Sequence, residues 1–102
     1  SESDVPLAQA AEVEHLIGYL AGSDCRMLRN GRAYSGWDGA KHVQRKYDHF
    51  RDQIGSTEEF IALAASKSMR SGKPYKIKCP DQDPVSSAEW LLKEIEVFRK
   101  RP

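Results

Sequence analysis

The chain has 102 residues, a formal charge of +1 and a hydrophobic share of 39%, which suits one globular domain with one core and excludes a disordered chain. Its longest apolar run falls far short of the roughly 20 residues needed to span a bilayer. A pI near 7.8, with no reader motif, argues against a specific nucleic-acid partner.

A single domain is expected over 1–102, with a flexible start at 1–4. From Val5 to Ala21, Ala10, Val13, Leu16, Ile17 and Leu20 recur at helical spacing and leave Glu12, Glu14 and His15 outward. Ser3 or Asp4 can cap this helix, and Gly22 suits its end. Asn30-Gly31 between Cys25-Arg-Met-Leu-Arg and Arg-Ala-Tyr34 is a two-residue hairpin signal. Ser35 opens a second helix whose stripe Ala40, Val43, Tyr47, Phe50 and Ile54 predicts a helix lasting to Gly55. Ser56 with Glu59 caps a third, carrying Phe60, Ile61, Leu63, Ala64 and Ala65 inward. Tyr75, Ile77 and Cys79 alternate with Lys76 and Lys78 as a half-buried strand fenced by Pro74 and Pro80. After a connecting loop at 80–85, Ser86 and Glu89 cap a last helix packing Leu91, Leu92, Ile95 and Phe98. The expected fold is α+β and mainly α: four helices with a small antiparallel sheet of a hairpin and a third strand.

Cys25 and Cys79, the only cysteines, sit at the edges of two predicted strands. A disulfide between them would place the protein in an oxidising compartment and, by closing a 54-residue loop, stabilise it by about 4 kcal/mol. The alternative is a pair of buried free thiols. A start at Ser1-Glu-Ser-Asp, without Met or an apolar leader, fits a secreted chain after signal removal and an expression scar equally.

Charge is segregated. Residues 1–25 hold five acids and no Lys or Arg, whereas residues 26–51 hold seven Lys or Arg against Asp38 and Asp48. Residues 67–78 add Lys67, Arg70, Lys73, Lys76 and Lys78 with no acid. Hairpin, second helix and last strand could therefore share one cationic face that attracts an anionic envelope component or an acidic protein. The bland reading is a solvated surface partly balanced by the acidic first helix.

No cofactor signature is present. His42 and His49, seven apart on one helix, stand about 10 Å apart along its axis, too far to share one zinc ion directly. Ser66, Ser68 and Ser71 precede Gly72-Lys73-Pro74 outside any catalytic frame or phosphate-binding loop. They read first as helix-end serines that solvate backbone carbonyls.

Arg29-Asn30-Gly31, Tyr34, Ala40, His42, Lys46, Thr57-x-Glu59-Phe60-Ile61, Ala65-Ser66-x-Ser68 and Ser71-Gly72-x-Pro74-Tyr75 together resemble domain-of-unknown-function family 5329, small bacterial proteins made with secretion signals. The resemblance covers most of residues 12–92. It implies a periplasmic or lipid-anchored protein of unestablished activity, and supplies no catalytic residues. Turn and cap geometry accounts for most of these positions, but not for Arg29, His42 and Lys46. These three, with Asn30, Tyr34, Ser68, Lys73 and Tyr75, form the expected binding patch of a non-enzymatic envelope module. A small hydrolase or transferase using one of the three serines with His42 as base, and an inhibitor or immunity protein for an envelope-acting toxin, are the alternatives.

Overall fold

A computed structural model describes residues 4–66 and 74–102. The expected contributions of Ser3, Lys67, Ser68, Arg70, Ser71 and Lys73 lie outside the described residues. Four helices, α1 (Asp4–Ala21), α2 (Gly36–Phe50), α3 (Thr57–Ser66) and α4 (Ser87–Arg99), are joined by strands β1 (Arg26–Arg29), β2 (Arg32–Ser35), β3 (Lys76–Lys78) and β4 (Val85–Ser86). Asp4, expected in a flexible start, already belongs to α1.

The strands form one antiparallel sheet in the order β2-β1-β3-β4. It has a strand more than expected, because Val85 and Ser86, assigned to a loop and a cap, pair opposite Ile77 and Lys76. Two residues are too short to alternate visibly in sequence. Asn30 (φ 50°) and Gly31 (φ 77°) make the hairpin turn, the left-handed pair that a two-residue loop requires. Met27 pairs with Tyr34 on one side and Ile77 on the other, and this row faces the helices.

Register also explains the disulfide. Arg26 opposes Lys78, so Cys25 and Cys79 occupy the next rung of the ladder. They are bonded, with Cα atoms 4.1 Å apart.

Apolar residues of α1, α2, α3 and the sheet close one core around Val13, Leu20, Met27, Val43, Phe60 and Ile77. A second cluster, Leu16, Ile61, Leu91 and Ile95, joins α1, α3 and α4. The caps predicted for α2, α3 and α4 form: Ser35 Oγ accepts from Asp38 N at 3.1 Å, Ser56 Oγ from Glu59 N at 3.1 Å and Ser86 Oγ from Glu89 N at 3.2 Å. Gly36 begins α2 against the end of α1, where a β-carbon would run into the Leu20 carbonyl oxygen.

Two expectations fail in physically informative ways. The second helix stops at Phe50 instead of reaching Gly55, because the chain turns there to pack α3, and Ile54 meets the core from that turn. Gly55 instead donates its N–H to Glu59 Oε2 at 3.1 Å, at the start of α3. Glu12 and His15, expected to face water from α1, are engaged in the fold. Glu12 accepts from Thr57 Oγ1 at 2.5 Å and from Arg99 Nε at 2.5 Å, and Arg99 also binds Glu58. His15 stacks on Phe98 and lies 2.8 Å from Glu94 Oε1.

Candidate functional site

Asp38 and His42 lie four residues apart along α2, as do Lys41 and Arg45, beside its core stripe. Met27, Arg29 and Tyr34 meet them from the hairpin, and together they line a cleft of about 390 Å³. Ser35 ends β2 and caps α2, so the chain folds the helix directly back over the hairpin. The cleft is consequently built within residues 27–45.

Arg29, Lys41 and Arg45 bring three guanidinium or ammonium groups to this cleft against one carboxylate. That carboxylate, Asp38, already accepts the Ser35 hydroxyl at 3.0 Å. His42 is only 9% exposed, and its ring meets the Tyr75 ring edge-to-face at 5.2 Å. Its Nε2 is buried without a hydrogen-bond partner, a cost that a bound group would remove. Burial and the fields of Lys46, Arg29 and Arg45 push His42 down to about 4, so it stays neutral at pH 7. A neutral imidazole among cations is a weak base and a good hydrogen-bonding neighbour for an anion.

Of the other residues expected in the patch, Lys46 is 1% exposed and cannot meet a ligand at the surface. Its Nζ donates to the Ala64 carbonyl at 2.8 Å, near the C-terminal end of α3, where helix carbonyls lack partners and a cation is favoured. Burial, then Arg29, lowers it to about 8. Tyr75 is also buried, and burial raises its phenol to about 12 while Ser87 opposes the rise.

Asn30 belongs to the turn and borders a different hollow, of about 620 Å³, on the open side of the hairpin with Leu28, Ala33, Pro74 and Lys76. That hollow is larger but floored by apolar atoms, and it offers no buried unpaired group. Ser68 and Lys73 lie outside the described residues, as does Ser71 of the hydrolase reading. Ser66 ends α3.

The single cationic face expected from the sequence is split in two. Lys76 and Lys78 flank buried Ile77 and so point away from α2, where Lys78 Nζ is held by the carbonyls of Cys79 and Gln82. Lys41 and Arg45, absent from the expected patch, were discoverable from their spacing to His42. Among the described residues no group of three His, Cys, Asp or Glu is placed to hold a metal ion, and no helix is long and apolar enough to cross a membrane.

A family model described as a family of unknown function, DUF5329, matches residues 7–99. An uncharacterized protein, YfeK, of Salmonella typhimurium strain LT2 is 31% identical over 74 residues, covering 72% of this chain and 62% of that protein. The chain thus spans less than two thirds of that relative's length. No solved structure matches.

Proposed function

Because the chain belongs to the family of unknown function DUF5329, no reaction comes with its ancestry, and we propose a non-enzymatic binding module of the bacterial envelope that holds an anionic group between hairpin and α2. One observation carries this reading: Arg29, Lys41, Arg45 and a neutral, unpartnered His42 converge on one cleft. Like charges gathered at one place repel, and an anion both neutralises them and supplies Nε2 with a partner. The depressed basicity of His42 favours contact over proton abstraction, which weighs against its service as a general base.

The compartment is part of the proposal. A disulfide between neighbouring strands supports an oxidising location, periplasmic or anchored at the outer membrane. Intact-mass analysis of protein taken from its native host without reductant tests that half, and two alkylatable thiols would overturn it. The binding half is tested by titrating labelled protein with inorganic phosphate and following amide shifts. Perturbations centred on Tyr34, His42 and Arg45, weakening with salt, are expected, and shifts spread evenly over every basic residue would contradict the cleft.

A further inference from the structure

We infer that the cleft receives its anion as a side chain of an extended acidic protein segment, which adds to the free edge of β2 as a fifth strand. This rests on the anion-binding reading above. β2 is the end strand of the sheet, and among the described residues no strand pairs with its outer edge.

The hairpin geometry fixes which groups that edge offers. With a two-residue turn, Arg29 and Arg32 form the hydrogen-bonded rung beside it, so Ala33, one step on, turns its N–H and C=O outward. Ala33 is exposed, and β2 carries no proline to blunt its edge. A second copy of β2 would add its own arginine to an edge already flanked by cations, whereas an acidic chain would neutralise them.

Charge complementarity then selects the occupant. A strand laid about 4.8 Å from β2 sends alternate side chains to either face of the sheet. Those on the helix side enter the cleft beside Tyr34, toward Lys41 and Arg45, which unpartnered His42 also lines. Those on the other side meet the open face, where Arg26 and Lys76 are exposed. Both faces thus favour acids, while main-chain hydrogen bonds to Ala33 set the direction of the segment, as in other strand-adding recognition. A small free anion would use the side chains and leave that edge untouched.

The test is the exchange rate of the Ala33 amide in the oxidised full chain, measured by NMR with two probes: a six-residue peptide of alternating Glu and Thr, and inorganic phosphate. The peptide is expected to slow Ala33 exchange about tenfold, phosphate to leave it unchanged, and K41E/R45E to abolish the peptide's effect. Peptide bound without Ala33 protection, or equal protection by phosphate, would overturn strand addition. If phosphate perturbs the cleft and the peptide does not bind, this inference fails while the anion site stands. If neither binds, both fail.

Discussion

Lys46 and His42 show how one helix turn separates two roles. Both flank Val43, yet His42 borders the cleft while Lys46 is inserted beneath it to reach Ala64 O. Replacing Lys46 by Ala is therefore expected to destabilise the fold by about 2–4 kcal/mol in urea unfolding, through an empty volume and an unpaired helix carbonyl. An unchanged midpoint would show that the side chain is a surface group after all. The pattern along α2 could not reveal this burial, because a lysine is buried only when a partner carbonyl waits for it, and that carbonyl is 18 residues away in sequence.

The two depressed bases also fix the pH response. His42 titrates near 4 when folded and near 6.5 when unfolded, so between these values the unfolded chain binds more protons. Stability is expected to fall as pH drops from about 6.5 to 4, by at most about 3 kcal/mol. Lys46, near 8 when folded and 10.5 when unfolded, contributes a rise in stability as pH climbs through that interval. Denaturant midpoints across both intervals check the signs, and the acid-side slope should flatten in His42→Phe.

At the level of elements, the sheet is held by register. The Cys25–Cys79 bond continues the β1–β3 ladder by one rung, and it ties the hairpin to a strand that follows α3. Reducing it should cost about 4 kcal/mol in the chain-entropy account, measured as the difference in unfolding free energy with and without reductant. A loss below 1 kcal/mol would show that the ladder holds without it. Strand existence, hairpin turn and all three serine caps were legible because each is written in adjacent residues. The end of α2 and the existence of β4 were not. The first depends on where α3 must pack and the second on Ile77 offering a free edge to Val85, which is information held by other elements. Arg99 is the same lesson in charge: it closes α1, α3 and α4 through Glu12 and Glu58, and it draws the Glu12 carboxyl below its usual range.

Across the whole molecule, a near-neutral chain brings Arg29, Lys41 and Arg45 to one side of the hairpin and Arg26 and Lys76 to the other. Glu12 of α1 is directed elsewhere, tied to α3 and α4. Segment-by-segment counting of Lys and Arg located the basic middle of the chain, and motif resemblance singled out Arg29, His42 and Lys46, of which Lys46 is fully buried. Neither could separate the two faces of the sheet, which follow from the alternation around Ile77 and from α2 covering one side only. The distinction matters because a general basic surface predicts that any lost charge weakens anion capture equally, whereas a built cleft predicts dependence on position.

The most direct measurement compares two double variants with the same change in net charge. R29A/R45A removes cations from the cleft, while K93A/K100A removes exposed cations that line neither the cleft nor the open face of the sheet. In calorimetric titration with poly-L-glutamate at fixed salt, the first is expected to lose at least about tenfold in affinity, or about 1.4 kcal/mol, and the second to remain near wild type. Equal losses in the two variants, with both folded, would contradict the cleft as the site.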